Sequence, residues 1–269
     1  MTTPTPHTTL EACAAALWTA QTTLTPCPPL TRDTPTLTVA DAYAIQTLNV
    51  RRRERERGLT GRLATKIGLK IGLTSRAVQK WLGVDEPDFG VLLDDMVIPE
   101  GSTAPTGALL QPRAEGEIAF VLGRPLRGPG ITAADVVRAT EFVLPAIEVV
   151  DSRVADWAVK YVDTVADNAS SGMFVLGTTP TPLAKVDLAL VGMSLSKNGR
   201  VESTGVGAAC LGNPVNAVAW LANKFGEFGR TLEPGDVILS GALGPVVPVS
   251  TGDHVEVQIS GLGGTHARF

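Results

Sequence analysis

Apolar positions near the start of the chain recur with the period of an α-helix. Residues 10–23 are rich in alanine and favour a helix, which the prolines that follow interrupt. A second helix is predicted after Thr38, which can cap it together with Asp41 in a variant of the capping box. Its apolar stripe has helical spacing and consists of Val39, Ala42, Ile45 and Leu48. This helix is predicted to end at Gly58, after an arginine-rich run of the kind that most often forms a solvated helix face.

Beyond about residue 65 the pattern changes to short Val, Ile and Leu runs between glycines and prolines, which is typical of strands and turns. These runs are 117–122, 142–150, 173–176, 237–239 and 255–259. In the last run apolar and polar residues alternate, which predicts a strand with one exposed face. One helix is predicted at 213–228, where a proline suits the first helical turn. The pattern predicts an α+β fold, with a small helical N-terminal region at 1–65 and a β-rich domain at 66–269.

Composition narrows the class of protein. Hydrophobic residues make up 44% and charged residues 19% of 269 positions, so a folded core is expected. The formal net charge is -4 and no basic block is long enough to follow a nucleic-acid backbone, so nucleic-acid binding is not expected. No apolar run approaches the roughly 18 residues of a membrane span, and the N-terminus does not resemble a secretory signal. The three cysteines lack metal-ligand spacing and favour free thiols in the cytoplasm.

Three glutamates on predicted strands could hold a metal ion. Glu115 and Glu117 are two positions apart and therefore point to one face of a strand, while Glu148 lies in a second apolar strand. Like charges side by side repel each other unless a cation lies between them. Oxygen ligands suit Mg²⁺ or Mn²⁺, and the absence of nearby His or Cys argues against Zn²⁺. The alternative is a solvent-facing pair plus an unrelated glutamate that pairs with Arg113 or Arg153. The spacing alone leaves both open.

A series of motifs, taken in order along the chain, resembles the fumarylacetoacetate hydrolase superfamily. The motifs are 70–75 (KIGLTS), 83–90 (GVDEPDFG), 112–120 (PRAEGEIAF), 146–153 (AIEVVDSR), 163–170 (DTVADNAS), 205–209 (GVGAA) and 234–241 (PGDVILSG). Within the superfamily the chain is similar to the branch of 2-hydroxypenta-2,4-dienoate (2-oxopent-4-enoate) hydratases and 4-oxalocrotonate decarboxylases. These are enzymes of aromatic meta-cleavage pathways. The resemblance covers roughly residues 38–269.

The resemblance implies a β-rich roll that holds Mg²⁺ or Mn²⁺ on Glu115, Glu117 and Glu148. It implies a hydratase that adds water to 2-hydroxypenta-2,4-dienoate, or to a related 2-hydroxy-dienoate, and gives a 4-hydroxy-2-oxo acid. The motif at 85–90 and the segment 241–245 favour the hydratase. The alternatives are a 4-oxalocrotonate (2-oxo-3-hexenedioate) decarboxylase and a non-catalytic partner subunit. The resemblance also suggests a homo-oligomer and an association with a partner enzyme of the same pathway.

The same motifs suggest residues for proton transfer. The family's catalytic lysine falls on Lys70, and its catalytic acid falls on Asp88. Lys66 begins a similar tetrapeptide, but only Lys70 is followed by Thr74 and a serine. A further lysine of the family pattern falls on Lys160, which could act in catalysis, contact the carboxylates around the metal or lie on the surface.

Three more residues are predicted to assist substrate binding. Ser240 and the main-chain amide of Gly241 follow a predicted strand and could hydrogen-bond the substrate carboxylate. Arg113 precedes the glutamate pair and could orient it.

Overall fold

Three helices precede the first strand in the computed structural model, which describes residues 5–56, 64–105 and 107–269. They are α1 (His7–Thr23), α2 (Leu30–Asp33) and α3 (Val39–Arg55). The capping box predicted at the start of α3 is confirmed, because Thr38 Oγ1 accepts from Asp41 N and Asp41 Oδ2 accepts from Thr38 N. The predicted helix end at Gly58 lies outside the described residues.

A curled, mixed sheet follows these helices. Its strands are β1 (Lys66–Gly72), β2 (Asp88–Leu93), β3 (Arg113–Leu122), β4 (Thr140–Val150), β5 (Ser171–Leu176), β8 (Val237–Leu239) and β9 (Val247–Pro248). The strand order is β2-β1-β8-β3-β4-β5, and β9 pairs with β3. The β1–β8 pair is parallel, whereas the pairs on either side of it are antiparallel. Because β2 lies at one end of this order, one edge of β2 has no strand partner in this sheet.

A second sheet has the order β11-β10-β6-β7. Its strands are β6 (Gly192–Lys197), β7 (Arg200–Val206), β10 (His254–Ile259) and β11 (Gly263–Arg268). The predicted alternation in β10 is confirmed, since Val255, Val257 and Ile259 are buried. This sheet packs on β3 at Gly116, where a Cβ would lie only 2.9 Å from Met193 Sδ. The two sheets are therefore closely packed, and a larger residue at Gly116 would require the Met193 side chain to move.

Four further α-helices follow the first strand in the described residues. They are α4 (Arg76–Leu82), α5 (Ala133–Ala139), α6 (Tyr161–Ala166) and α7 (Pro214–Glu227). The helix predicted at 213–228 is confirmed as α7, with the Asn213 side chain capping it. Among the described helices, none combines the length and apolar character that a membrane crossing requires.

The N-terminal helices share one hydrophobic core with the large sheet. Leu17 and Ile45 belong to the same buried cluster as Ile71 and Phe89. In addition, the Gln46 side chain of α3 donates to the carbonyls of residues on β2 and α6. The predicted α+β, β-rich fold with N-terminal helices is confirmed. The division at residues 65 and 66 remains a prediction, since the helices are packed against the sheet.

Candidate active site

The candidate site lies where the short strand β8 ends between β1 and β3. The last residue of β8, Leu239, pairs with Lys70 of β1 and with Ala119 of β3. Beyond Leu239 the regular strand ends, but the chain stays bonded to β3, since Ser240 N donates to Ile118 O and Leu243 N donates to Gly116 O. The residues that lie beyond this point on β3 include Glu117, and on β1 they include Gly72.

Three carboxylates meet at this position. Glu115 and Glu148 lie directly opposite each other on β3 and β4, and Glu117 follows on the same face of β3. Each residue is at most 8% exposed, and one oxygen atom from each lies within 4.8 Å of the others. This burial contradicts the alternative of a solvent-facing pair. Arg153 pairs with Asp167 instead of a glutamate.

The donor atoms fit a hard divalent cation. Glu117 Oε1 and Glu148 Oε2 are buried, and neither has a hydrogen-bond partner among the described residues. Buried polar atoms are nearly always bonded in native proteins, so such oxygens point to a missing partner. An all-carboxylate set is the oxygen-rich ligation that Mg²⁺ and Mn²⁺ prefer. Glu115, Glu117 and Glu148 therefore fit the predicted metal.

Crowding of these acids changes their protonation. Burial, followed by the charge of Glu148, raises the pKa of Glu115 to about 7. The same two causes, with the added charge of Glu115, raise the pKa of Glu117 well above its ordinary 4.5. In the absence of a cation, the cluster therefore tends to retain protons.

Lys70 lies beside the carboxylates. Its Nζ is 3.0 Å from Glu148 Oε1 and donates to the carbonyl oxygen of Ala169 at 2.9 Å. Burial alone would lower the pKa of Lys70, but the surrounding carboxylates, chiefly Glu148, raise it above its ordinary value. Lys66, the competing lysine, pairs with Asp236 at 2.8 Å instead. The structure thus places Lys70 in the cluster and Lys66 outside it.

Asp88 lies near Lys70 without an ion pair between them, and Gly72 leaves room for its side chain. Asp88 begins β2 and pairs with Gly72 of β1, while Lys70 pairs with Gly90. A Cβ at Gly72 would collide with Asp88 Oδ1 and come within 3.4 Å of Lys70 Nζ. Asp88 is 1% exposed, and its Oδ1 has no hydrogen-bond partner among the described residues. Burial raises the pKa of Asp88, although Lys70 opposes that rise.

Two groups follow β8 in the chain, the bonded main-chain amide of Gly241 and the unpaired hydroxyl of Ser240. The amide of Gly241 donates to Glu117 Oε2 at 2.8 Å, so it orients the carboxylate, whereas the sequence predicted a contact with substrate. Ser240 is fully buried, and its Oγ has no partner in the described parts of the chain. The Ser240 hydroxyl is therefore left unpaired, one residue before the Gly241 amide that contacts Glu117.

Comparison with known proteins places this arrangement in a family. The model of the fumarylacetoacetate (FAA) hydrolase C-terminal domain matches residues 63–269. The chain belongs to the fumarylacetoacetate hydrolase family. A relative named 2-keto-4-pentenoate hydratase, from Paraburkholderia xenovorans (strain LB400), is 51% identical over 259 residues, covering 96% of this chain and 94% of the relative.

Two further members are similar over most of their length. The 2-hydroxyhexa-2,4-dienoate hydratase of Comamonas testosteroni is 49% identical and covers 90% of each chain. The solved structure of 4-oxalocrotonate decarboxylase from Pseudomonas putida G7, complexed with magnesium and adipate, superimposes with a TM-score of 0.92. It shares 39% sequence identity, and each chain is fully covered.

The structure of this family member does not bring every predicted residue into the cluster. The guanidinium of Arg113 lies over the Trp157 ring, 4.5 Å from its centroid, with no described ion pair to a glutamate. Lys160 is exposed at the start of α6, where its main-chain amide donates to Asp163. A catalytic role for Lys160 therefore has no geometric support, because the site is buried. The orienting role of Arg113 remains a prediction.

Sequence reasoning missed the support behind Lys70. Asn168, Ala169 and Ser170 all have left-handed backbones, with φ values of 56°, 51° and 51°. The motif at 163–170 predicted a loop that Asp163, Asp167 and Asn168 cap and fix, but not its contact with Lys70. Its one local signal was Asn168, since asparagine tolerates this conformation better than most residues.

Proposed function

We propose that this chain is a metal-dependent hydratase of 2-hydroxypenta-2,4-dienoate or of a closely related 2-hydroxy-dienoate. The observation that carries the proposal is the meeting of three glutamates with Lys70 and Asp88 in one buried cluster. Further support comes from hydratases that share about half of their residues with this chain over nearly its full length. The product would be a 4-hydroxy-2-oxo acid.

Glu115, Glu117 and Glu148 are the residues that would hold Mg²⁺ or Mn²⁺. When bound, the ion would supply Lewis-acid stabilisation of negative charge on the C2 oxygen of the substrate. The Gly241 amide would keep Glu117 oriented through its 2.8 Å hydrogen bond. Ser240 Oγ, which has no described partner, would donate to the substrate carboxylate.

Lys70 and Asp88 would handle the protons. The reaction requires the proton of the C2 hydroxyl to be removed and a proton to be added at C5, after which water adds its hydroxyl at C4 and its proton at C3. Both side chains are buried in one cluster, so a proton that passes between either of them and the substrate does not have to cross bulk water. Asp88, whose pKa is raised by burial, retains a proton more readily than an exposed aspartate and is suited to donate it.

The proposal is tested by following the loss of dienol absorbance when purified protein is mixed with 2-hydroxypenta-2,4-dienoate. EDTA should abolish the loss, and added Mg²⁺ or Mn²⁺ should restore it. Glu117→Gln should be inactive, whereas Glu202→Gln, an exposed glutamate of β7, should match the wild type. Full activity after chelation, or in Glu117→Gln, would refute a metal-dependent mechanism.

A decarboxylase is the second candidate, and it is favoured by the fold-wide similarity to 4-oxalocrotonate decarboxylase. Such an enzyme would release CO₂ from a six-carbon 2-oxo dioic acid and leave a dienol. A substrate panel with CO₂ detection separates the two reactions, and CO₂ release without hydration would replace the hydratase assignment. A catalytically silent protein that binds a pathway enzyme tightly would favour a non-catalytic partner subunit.

We also infer that the chain works in the cytoplasm as a homo-oligomer. Its three cysteines, Cys13, Cys27 and Cys210, are free, as expected in a reducing compartment. Sedimentation equilibrium would give the number of subunits, and a monomer at assay concentrations would overturn this inference. The same measurement with a co-expressed pathway decarboxylase would test for a partner.

A further inference from the structure

We propose that Asn168 is a positioning residue for Lys70, because its side chain fixes a left-handed turn that directs the Ala169 carbonyl at Lys70 Nζ. The inference rests on the proposed function, in which Lys70 moves protons. Neither Asn168 nor Ala169 belongs to the set of metal ligands or proton-transfer residues described above.

The Ala169 carbonyl is the uncharged partner of a buried ammonium. Lys70 is 2% exposed, and its Nζ contacts Glu148 Oε1 at 3.0 Å and Ala169 O at 2.9 Å. Glu148 is also a candidate metal ligand, so its position must satisfy two partners. The Ala169 carbonyl supplies an acceptor that does not compete for the metal. It thereby fixes where the Lys70 amine lies.

The turn that presents this carbonyl is strained. Asn168, Ala169 and Ser170 have successive φ values of 56°, 51° and 51°. Left-handed backbone is unfavourable for residues with a Cβ, and runs of such residues persist only where the surroundings hold them. A strained segment next to reactive side chains is a recognised mark of function.

The Asn168 side chain holds the turn against the free edge of β2. Asn168 Oδ1 accepts from Val91 N at 2.7 Å, and Asn168 Nδ2 donates to Val91 O at 2.9 Å. The Asn168 side-chain amide thus makes the two main-chain hydrogen bonds with Val91 that a neighbouring strand would otherwise make. The contact is close, since a Cβ at Gly90 would collide with Asn168 O. Gly90 is also the residue that pairs with Lys70, so the turn, β2 and Lys70 form one packed unit.

A buried ion pair supports the turn from its other side. Arg153 donates to the side chain and the main-chain carbonyl of Asp167, and to Ser171 O. These bonds fix the residues that flank the turn and do not involve the Ala169 carbonyl, which accepts from Lys70. Asn168 is therefore the residue that ties the turn itself to the strand beside Lys70.

The chain offers a matched control for removing the two hydrogen bonds between Asn168 and Val91. On α7, Asn223 Oδ1 accepts from Ile131 N at 2.8 Å and Asn223 Nδ2 donates to Ile131 O at 2.9 Å. Both asparagines are partly buried. Asn168→Ala and Asn223→Ala therefore remove the same pair of hydrogen bonds, but only the first removes them next to Lys70.

The test compares the steady-state kinetics of dienoate hydration in the two variants with saturating Mn²⁺. Because a misplacement of about 1 Å can cost about 100-fold in rate, Asn168→Ala should lower kcat by roughly 10- to 100-fold. Its KM and its Mn²⁺ dissociation constant, measured by calorimetry, should stay within about twofold of the wild type, as expected when chemistry alone is impaired. Asn223→Ala should keep the wild-type kcat. Equal kcat values in the two variants would overturn the inference.

A second measurement, the acylation rate of Lys70, does not depend on catalytic turnover. Acylation of Lys70 by acetic anhydride is followed by peptide mass spectrometry, relative to the exposed Lys185. Lys70 should react faster in Asn168→Ala than in Asn223→Ala, and equal rates would contradict the inference. If the wild type fails to hydrate the dienoate, the proposed function falls, while the acylation rates still decide the role of Asn168. Should Asn168→Ala not fold, Asn168→Asp, which keeps Oδ1 but loses the Nδ2 donor, should show the same changes.

Discussion

The stability of the metal-free protein should fall as the pH rises from about 4.5 to 7, because Glu115 must then ionise inside the carboxylate cluster. Burial and the charge of Glu148 raise the pKa of Glu115 from 4.5 to about 7. A folded state with the higher pKa binds the proton more tightly than the unfolded chain. The contribution of Glu115 is therefore present at acidic pH and is lost across this window.

The size of the effect follows from the shift. At about 1.4 kcal/mol for each pKa unit, Glu115 alone accounts for roughly 3 kcal/mol between the two ends of the window. Glu117, whose pKa is also raised by burial and by the charges of Glu148 and Glu115, changes stability in the same direction. A divalent cation favours the ionised carboxylates, so saturating Mg²⁺ or Mn²⁺ should reduce or reverse the slope.

Urea denaturation followed by tryptophan fluorescence measures this slope from pH 4.5 to 8, in EDTA and in Mn²⁺. Glu115→Gln removes the titrating group at nearly constant volume and should flatten the curve in EDTA. Glu202→Gln, at an exposed position, should leave it unchanged. Parallel curves in EDTA and Mn²⁺, or a wild-type slope in Glu115→Gln, would refute the reasoning.

Three further changes have defined outcomes. Lys70→Met should lower kcat by about 100- to 10,000-fold while Mn²⁺ binding persists, because general acid–base catalysis contributes about that factor. Asp88→Asn should lower kcat over the same range, with the far-UV circular dichroism spectrum unchanged. Thr38→Ala should cost about 1 kcal/mol of unfolding free energy by loss of the helix cap, with unchanged kcat.

Each of these three predictions has a result that would contradict it. Wild-type turnover in Lys70→Met or Asp88→Asn would remove that residue from proton transfer. A loss of kcat in Thr38→Ala at full folding would mean that α3 acts on the site and not only on stability.

The sequence predicted those features that depend on residues close together in the chain. The capping box at Thr38 and the alternation in β10 depend on neighbours a few residues apart, and both are confirmed. The two-residue spacing of Glu115 and Glu117 placed them correctly on one face of a strand. Their burial and the approach of Glu148 were not predictable from spacing, because they depend on pairing between distant strands.

Other features escaped prediction because they depend on tertiary contacts. The sequence favoured Lys70 over Lys66 from the residues that follow it, but the bulge between Lys66 and Gly68 and the partner Asp236, which separate their environments, had no local signal. The left-handed turn at 168–170 also has no pattern signal of its own, since an alanine and a serine there carry no turn preference strong enough to predict it.

The charge balance of the cluster connects its metal site with its proton chemistry. Four carboxyl groups and the Lys70 ammonium leave an excess of three negative charges if all are ionised, and a divalent cation reduces that excess to one. A substrate carboxylate then adds another negative charge. Because net charge is costly in a buried site, the remaining excess is relieved most simply by a proton held on a carboxyl. Asp88 is the acid that lies outside the three candidate ligands, and burial raises its pKa. The electrostatics that favour a cation on the glutamates therefore also favour a protonated Asp88, which is the state that a proton donor needs before the dienol arrives.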